Sequence, residues 1–244
     1  MNIQNKTILI TGANRGIGRA LVTEALRRGA KRVYAGTRSG ELQNADSRVT
    51  PLTLDVTNTA QIQAAVEKVE SLDILINNAG LALYDDLSDR AALEQSLAIN
   101  LYGPYGVTQA FLPLLTGSRG AIISVLSLSS IAAVPFSPAY SISKAAAFSL
   151  SQSLRALLAG RGVKVHVVLP GPVDTDMTRD LDISKASPES VARAIFEGVE
   201  KGEEDIFPDP MSASIADSWR SGAAKLLERQ FAAFVPERRS MLCE

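Results

Sequence analysis

The sequence has few of the side chains from which metal sites and disulfides are built. Its 244 residues include one cysteine, Cys243, and one histidine, His166. A disulfide needs two cysteines and a structural zinc site about four Cys or His ligands, so we expect neither. His166 lies in the alternating apolar run Val163–Leu169, which favours a satisfied buried imidazole over a catalytic base. We therefore expect no metal and no Ser-His-Asp triad, and we assign the near-terminal thiol of Cys243 no role.

An excess of either charge is also missing. Lys and Arg number 25 and Asp and Glu 26, which gives a net charge of −1. This balance provides no long-range attraction to nucleic acid or to an anionic membrane, so neither is an expected partner. The first six residues lack the basic and apolar regions of a secretory signal, and we expect a cytoplasmic protein.

Charge is nearly absent between Gln95 and Ser143, where Arg119 is the only charged residue. The stretches on either side of Arg119 are 24 residues long, enough to span a bilayer. Their serines, prolines and amides argue against membrane helices and indicate an interior or a subunit interface. With Ala145–Phe148, the region has more apolar surface than two helices need against one sheet face, which predicts a symmetric oligomer.

What the sequence does contain is a regular alternation of two patterns. Short apolar runs typical of buried strands alternate with segments whose apolar residues recur every three or four positions, as in helices. The order predicts an α/β fold of the Rossmann type, a doubly wound parallel sheet with helices on both faces. No linker interrupts it, so we expect one domain over residues 1–244, with a cofactor half to about residue 120 and a substrate and catalytic half from about 121. Seven strands are expected, at Thr7–Thr11, Val33–Ala35, Val49–Leu54, Ile74–Ile76, Ala121–Leu126, Val163–Leu169 and Ile206–Phe207.

A glycine-rich turn follows the first strand and leads directly into a helix. It reads Thr-Gly-Ala-Asn-Arg-Gly-Ile-Gly over residues 11–18. Gly12 allows a tight turn, Gly16 lets backbone amides approach a pyrophosphate, and Gly18 allows close packing of helix and strand. The helix N-terminus adds about half a positive charge. A glycine-rich turn often only makes a turn, but its place between strand and helix favours a dinucleotide site.

The end of the second strand indicates which dinucleotide is bound. NAD sites carry an acid there for the ribose 2′-hydroxyl, and residues 33–39 contain none. Arg38 in this stretch, and Arg15 in the glycine loop, could pair with a 2′-phosphate, so we expect NADP. The alternative is that Arg38 is an ordinary solvated loop residue.

Tyr140 and Lys144 are four residues apart, which places both side chains on one face of a helix with Cβ atoms about 6 Å apart. A tyrosine with an ordinary pKa near 10 is a poor proton donor and base at neutral pH, and a neighbouring ammonium stabilises its phenolate. This spacing is common by chance, so it carries weight only together with the other motifs.

The ordered set of motifs resembles the short-chain dehydrogenase/reductase family, in its shorter branch. The resemblance covers most of the chain and implies roles for named residues. Cofactor contacts are implied for Gly12, Asn14, Arg15, Gly16, Ile17, Gly18, Thr37, Arg38, Asp55, Val56, Asn78, Ala79, Gly80, Tyr140, Lys144, Pro170, Gly171, Val173 and Thr175, and catalytic roles for Asn100, a serine, Tyr140 and Lys144.

The resemblance implies hydride transfer between a nicotinamide and a carbonyl or alcohol carbon. Tyr140 would give a proton to the developing alkoxide, and Lys144 would lower the tyrosine pKa and bind the nicotinamide ribose. Asn100 would hold a water that links Lys144 to solvent. We expect an NADP(H)-dependent reductase or dehydrogenase of a small to medium apolar substrate, assembled as the family's tetramer or as a dimer. A non-catalytic NADP sensor of the same fold, or an enoyl reductase, dehydratase or epimerase, is the alternative.

More than one serine could orient the substrate oxygen. Ser127 lies 13 residues before Tyr140, the separation that the resemblance implies, while Ser130 has the more family-like neighbours. If the strand continued past Leu126, alternation would place Ser127 and Ser129 on one face. We favour Ser127. Leu83, Phe136, Met177 and Leu181 are interpreted as pocket residues, each with core or loop packing as the simpler reading, and Trp219 as a helix packing residue.

Overall fold

The apolar runs pair into a parallel sheet in the computed structural model, which describes residues 1–40, 42 and 46–234. Over those residues the sheet has seven strands in the order β3-β2-β1-β4-β5-β6-β7, so the predicted doubly wound sheet is confirmed. Cys243 lies outside the described residues. The strands are β1 (Thr7–Thr11), β2 (Arg32–Thr37), β3 (Val49–Thr53), β4 (Ile74–Asn77), β5 (Ala121–Val125), β6 (Lys164–Val168) and β7 (Asp205–Ile206).

Helices cover both faces of the sheet because alternate strand residues point to opposite sides. Ile8 and Ile10 enter one apolar cluster, which includes residues of the first and sixth helices, whereas Leu9 enters a second cluster with Phe111 and Leu154. Among the described residues, none of the helices has the length and hydrophobicity that a bilayer span needs. The helices are α1 (Gly16–Arg27), α2 (Thr59–Lys68), α3 (Arg90–Leu97), α4 (Gly103–Ser118), α5 (Pro138–Ala159), α6 (Pro188–Lys201), α7 (Pro210–Ala213), α8 (Ala216–Ser221) and α9 (Ala223–Phe231).

The strand order reverses between β1 and β4, which are neighbours in the sheet. Chains leave these two strands towards opposite sides, which opens a crevice at the carboxyl ends of the strands. A π-helical turn, Ala98–Tyr102, joins α3 to α4 near this crevice. Such turns often occur at functional sites because they widen the helix locally.

Three expectations from the sequence need correction. β5 ends at Val125 and the chain turns into a short 3₁₀ helix, Leu128–Ser130, so strand alternation does not govern the serines. His166 is buried in β6, but only Nδ1 has a partner, the Glu203 carbonyl at 2.6 Å. Its Nε2 has none within the described part of the chain.

The third correction concerns Ala145–Phe148, assigned from sequence to an apolar surface. Ala145 is exposed and Ala146 half-buried, but Ala147 and Phe148 are buried in the chain's own core, in a cluster that includes Ala216 and Trp219 of α8. The Trp219 ring meets Phe148 edge-on, with 5.7 Å between centroids, and its indole nitrogen donates to Asp205 at 2.8 Å. Trp219 is therefore a packing residue, as predicted.

Candidate active site

The glycine loop has the backbone geometry that its sequence predicts. Gly12 and Gly16 have φ values of +65° and +51°, a region that side-chain-bearing residues rarely occupy. A Cβ on Gly18 would lie 2.1 Å from the Gly12 carbonyl oxygen, so only glycine allows this close approach. A Cβ on Gly16 would lie 3.0 Å from the Thr175 methyl group, which places Thr175 of the Pro-Gly segment against the loop.

The N-terminus of α1 is left open to a ligand. Arg15 occupies the cap position without a side-chain hydrogen bond to the helix, and the first turn holds no acid. By contrast, Asn58, Asp89 and Ser187 cap α2, α3 and α6 with their side chains. The unpaired amides and the helix dipole of α1 suit a phosphate group. Asn14 is exposed beside them, and Ile17 is half-buried against the first core cluster.

Thr11 and Asn78 fasten the glycine loop to the end of β4. The Thr11 hydroxyl accepts from the backbone amides of Asn78 and Ala79, both at 3.0 Å. The Asn78 side chain donates to the carbonyls of Thr11 and Gly12 at 2.9 and 3.1 Å. This use of the Asn78 side chain is structural. Sequence reasoning did not assign Thr11 a function, although its place at the strand end marks it.

Arg38 is exposed directly after β2, and Thr37 is buried before it. Asp55 Oδ1 accepts from the amide and hydroxyl of Thr57 at 2.9 and 2.7 Å. These bonds, with a smaller contribution from the Arg38 charge, hold the pKa of Asp55 below its usual value. Val56 is buried beside Asp55. Arg38 and Asp55 therefore face the same side of the crevice.

Arg15 is paired with a residue on the opposite side of the crevice. Its guanidinium lies 3.1 Å from Asp176 Oδ2, and Arg179 contacts the other oxygen of the same carboxylate. These groups border a cleft of about 380 Å³ that also reaches Gly16 and Thr175. Because Arg15 and Asp176 are both exposed, their ion pair is weak enough to exchange for a ligand phosphate.

The side chain of Asn100, in the π-helical turn, is fully engaged. It accepts from the Leu81 amide at 2.9 Å and donates to the Leu81 carbonyl at 2.8 Å and to the Ser143 hydroxyl at 2.9 Å. A Cβ on Gly80 would lie 3.3 Å from Asn100 Oδ1 and 3.5 Å from Lys144 Nζ. Asn100 thus fixes the chain after β4 beside Lys144, and its side-chain hydrogen bonds go to Leu81 and Ser143 rather than to the lysine.

Tyr140 and Lys144 lie on one face of α5, as their spacing predicts. The Lys144 Nζ is 5.6 Å from the centre of the Tyr140 ring and donates to the Val125 carbonyl at 3.0 Å. Burial lowers the pKa of Lys144 to about 8. It also raises the pKa of Tyr140, and the nearby hydroxyls of Ser127 and Ser129 offset only part of that increase. In this arrangement burial is the largest influence on the Tyr140 pKa, and the Lys144 ammonium forms its hydrogen bond with Val125 rather than with the phenol.

The serines after β5 separate into two groups. The hydroxyls of Ser127 and Ser129 approach the Tyr140 hydroxyl closely enough to lower its pKa, while Ser130 has no such effect. Neither approach has the geometry of a full hydrogen bond. The Ser127 hydroxyl accepts from the Ser129 amide at 3.1 Å, and the Ser129 and Ser130 hydroxyls are buried without a partner in the described residues. Ser127 and Ser129 are therefore the two serines that could meet a substrate oxygen with Tyr140.

The Pro-Gly segment after β6 is held by residues distant in sequence. Asp209, at the start of α7, accepts from the Gly171 amide at 2.8 Å, and the Pro170 carbonyl accepts from the Leu128 amide at 2.9 Å. Val173 forms a parallel bridge with Ala186, which returns the following loop to the site. Sequence reasoning missed Asp209, although an Asp before a proline is a common helix cap. Of the predicted pocket residues, Phe136 and Met177 are exposed and Leu83 and Leu181 half-buried.

Comparison with known proteins agrees with this geometry. The family model described as short chain dehydrogenase matches residues 6–186. An uncharacterised oxidoreductase of Staphylococcus aureus is 35% identical over 209 residues, which cover 80% of this chain and 90% of that protein. The chain belongs to the short-chain dehydrogenase/reductase family, a family of oxidoreductases, and the resemblance seen in its motifs is confirmed.

Solved structures of the family show the same fold. A short chain dehydrogenase from Burkholderia cenocepacia in complex with NADP is 34% identical, with a TM-score of 0.86, and the match covers 97% of this chain and 100% of that one. A short-chain dehydrogenase from Streptomyces avermitilis is 25% identical, with a TM-score of 0.80, and the match covers 94% of this chain and 97% of that one. The sheet and its helices are thus those of the family over nearly the whole chain.

Proposed function

We propose that this chain is an NADP(H)-dependent oxidoreductase that interconverts a carbonyl and a secondary alcohol on a small to medium apolar molecule. One observation carries the proposal. The hydroxyls of Tyr140, Ser127 and Ser129 converge at the crevice, with the buried ammonium of Lys144 beneath the tyrosine ring. Two serine hydroxyls beside one phenol suit an oxygen that gains negative charge.

The glycine loop and the open end of α1 fit the pyrophosphate of NADP, because glycines at 12, 16 and 18 allow the tight course of the loop and the first amides of α1 carry no side-chain cap. Arg38 and Arg15 would hold the 2′-phosphate. The choice of NADP is supported by the Burkholderia relative, which was solved in complex with NADP. Asp55 and Val56 would flank the adenine, and Ala79, Gly80, Pro170, Gly171, Val173 and Thr175 the nicotinamide side. When bound, the cofactor supplies or accepts the hydride.

Tyr140 would supply the proton. Since burial raises its pKa, the phenol holds its proton at neutral pH until the substrate oxygen becomes basic enough to take it. The Lys144 ammonium, still mostly charged at pH 7, then stabilises the phenolate left behind. Ser127, with Ser129 as the alternative, would donate to the same substrate oxygen and hold it next to Tyr140.

The proton that Tyr140 gives up would be returned by way of Lys144, which would in turn regain a proton through the interior of the chain. An enclosed cavity of about 10 Å³ borders Lys144, Asn77 and Asn100, which is the room that one water molecule occupies. The Asn77 side-chain oxygen is buried without a partner among the described residues and could bind such a water. The relay expected through Asn100 therefore has a place, although the Asn100 side chain is used elsewhere.

We also propose that the chain works as one domain with two halves, and that it forms a homo-oligomer, a tetramer or a dimer. Up to about residue 120 the chain supplies most of the cofactor contacts, and beyond it the serines, Tyr140 and Lys144. The aromatic side chains of Tyr102 and Tyr105 are exposed at the start of α4, in the uncharged region, which supports an interface there.

Replacing Tyr140 by Phe tests the mechanism. The variant keeps the ring and removes the proton, so turnover should fall by about 10² to 10⁴ with NADPH affinity nearly unchanged. Stopped-flow turnover and a cofactor fluorescence titration would measure both. Tyr105→Phe, a change at an exposed tyrosine of α4, is the control, and wild-type turnover in Tyr140→Phe would refute the mechanism.

Replacing Arg38 by Ala tests the cofactor assignment. Only NADPH carries the phosphate that Arg38 would bind, so the preference for NADPH over NADH should fall by roughly tenfold. The ratio of kcat/KM for the two cofactors measures this. Arg32→Ala, at the other end of β2, should leave the ratio unchanged, and an unchanged ratio in Arg38→Ala would remove Arg38 from the site.

A further inference from the structure

Two aromatic side chains stand together at the surface beside Tyr140. The rings of Tyr84 and Phe136 have centroids 5.8 Å apart and planes inclined by 39°. They are 61% and 49% exposed, so most of their apolar area still faces solvent. We refer to this pair as the aromatic shelf. A third ring could contact the face of one member and the edge of the other, the arrangements that aromatic rings prefer.

The aromatic shelf is held rigidly by polar contacts between its two segments. The Asp85 amide donates to the Phe136 carbonyl at 3.3 Å, and the Ser137 hydroxyl donates to the Leu83 carbonyl at 2.6 Å. The Asp85 carboxylate also accepts from the Ala139 amide at 3.2 Å, at the first turn of α5. Each ring therefore has anchored chain on both sides, and little conformational entropy is lost when a ligand binds it.

The position of the aromatic shelf relative to the reacting groups follows from the same contacts. Ala139 precedes Tyr140, so the Asp85 contact places residues 81–85 beside the first turn of α5. Gly80, at the other end of this segment, lies next to Lys144, one turn further along α5. The segment carrying Tyr84 thus runs alongside both Tyr140 and Lys144, and Phe136 lies four residues before Tyr140, just ahead of the N-cap of α5.

The charges around the aromatic shelf select against anions. Residues 81–90 contain Asp85, Asp86 and Asp89 and one basic residue, Arg90, which is paired with Glu94 at 2.6 Å. The carboxylate of Asp86 is kept ionised, because hydrogen bonds from Ser88 hold its pKa below its usual value. A substrate bearing a carboxylate or phosphate near its carbonyl would be repelled there, so the surface suits an uncharged apolar group.

We propose that the aromatic shelf binds the ring of an uncharged aryl ketone, with the carbonyl oxygen of the ketone at Tyr140. This inference rests on the proposed function and names its substrate class. The reaction balances as a reduction, in which the carbonyl carbon gains the hydride from NADPH and the oxygen gains the proton of Tyr140. The products are the secondary benzylic alcohol and NADP⁺, and Tyr140 regains its proton from solvent.

A matched set of ketones tests the substrate class. Acetophenone and cyclohexyl methyl ketone have the same carbon skeleton, but only the first presents a flat ring. We expect kcat/KM with NADPH to favour acetophenone by about 3- to 10-fold, the range of an aromatic contact beyond its buried area. In Phe136→Leu and Tyr84→Leu this preference should fall towards unity, while Phe231→Leu, at an exposed ring on α9, should keep it.

A charged substrate tests the second part of the proposal. Reduction of 4-acetylbenzoate should be slower than that of acetophenone in the wild type. Asp86→Asn keeps an oxygen that can accept from Ser88. It should reduce the ratio of kcat/KM for acetophenone to kcat/KM for 4-acetylbenzoate by about 2- to 5-fold, as expected for one exposed charge. Wild-type selectivity in both leucine variants, or faster reduction of the carboxylate, would overturn the proposal.

A binding measurement separates failure of this inference from failure of the proposed function. Benzamide and cyclohexanecarboxamide carry carbonyls that the reaction cannot reduce, so calorimetric titration in the presence of NADP⁺ reports the shelf alone. If benzamide binds more tightly than cyclohexanecarboxamide and Phe136→Leu abolishes this difference, the aromatic shelf is supported. This result would stand even if no ketone were reduced and the proposed function failed. Ketone reduction without any preference for aryl ligands in either assay would retain the function and refute the shelf.

Discussion

Lys144 and Lys225 are both almost fully buried, at 5% and 2% exposure, yet their surroundings differ completely. Lys225, on α9, lies 2.8 Å from Asp205, 2.9 Å from Glu228 and 2.9 Å from Glu204. Lys144, on α5, donates to a single carbonyl, and no carboxylate in the described residues forms an ion pair with it. One buried cation is neutralised by acids, and the other is left with a pKa lowered to about 8.

The groups around Lys225 satisfy one another. Arg155 lies 2.8 Å from Asp205 and also contacts Glu228. Burial acts to raise the pKa of Asp205, but Arg155 and Lys225 outweigh it and the pKa is lowered. The Trp219 nitrogen donates to the same carboxylate. This cluster fastens α8 and α9 to β7, beyond the residues that the family model matches.

The comparison separates groups that stabilise the fold from groups kept for reaction. Removing a member of a satisfied buried cluster leaves its partners unpaired and should lower stability. Removing a buried polar group that has few partners should cost little stability or increase it, and any loss should appear in turnover.

Lys225→Met should have the largest effect on stability. The variant leaves buried carboxylates without their cation, and we expect the free energy of unfolding to fall by about 3 to 5 kcal/mol. Urea denaturation measures the change. Lys201→Met, at an exposed lysine at the end of α6, is the control. Turnover per folded molecule should stay near wild type, and a loss below about 1 kcal/mol would show that the cluster is not stabilising.

Ser127→Ala should lower kcat/KM by about 10² to 10³, the scale of one oxyanion-type donor. Ser129→Ala and Ser130→Ala should stay within a few-fold, and neither should reduce stability much, because their hydroxyls have no partner to lose. Steady-state kinetics with denaturation curves for all three variants would check this. A large loss confined to Ser129→Ala would move the donor to the other serine that approaches Tyr140.

Lys144→Met should raise stability at pH 7 by up to about 3 kcal/mol, the equivalent of a pKa lowered from 10.5 to about 8. The folded chain releases this proton near pH 8 and the unfolded chain near pH 10.5. The free energy of unfolding of the wild type should therefore increase as pH rises from 8 to 10.5. The extra stability of Lys144→Met over wild type should be complete below pH 8 and should vanish by pH 10.5.

Turnover of Lys144→Met should fall steeply at the same time, since the phenolate loses its stabilising charge. Denaturation curves at pH 7, 9 and 10.5 with NADPH turnover would test both statements. If Lys144→Met were less stable than wild type at pH 7, the contacts of the Lys144 ammonium would outweigh the cost of burying its charge.

The parts of the molecule predicted from the sequence are those set by local pattern. Apolar runs located the strands, and glycine spacing located the loop after β1, because each follows from the backbone of a few consecutive residues. The motifs also identified the family correctly. NADP was predicted because no acid follows β2, and this agrees with the NADP bound to the Burkholderia relative.

The missed features depend on contacts across the chain. Arg155 and Glu228 are 73 residues apart, and Asp209 and Gly171 are 38 apart, so no local pattern reports either contact. The Lys144 ammonium donates to Val125, the last residue of β5, whereas the sequence pattern predicted that this strand ends at Leu126. The choice between Ser127 and Ser129 remains a prediction for the same reason, because it depends on a 3₁₀ turn.

The bond between Asp209 and the Gly171 amide also has a consequence for the order in which the protein is made. The ribosome releases the chain from its N-terminus, so the glycine loop, β4 and the Tyr140 helix can all pack before residue 209 emerges. The Gly171 amide finds its buried partner only then. A nascent chain stalled before that residue would therefore lack the contact that holds the Pro-Gly segment on the nicotinamide side.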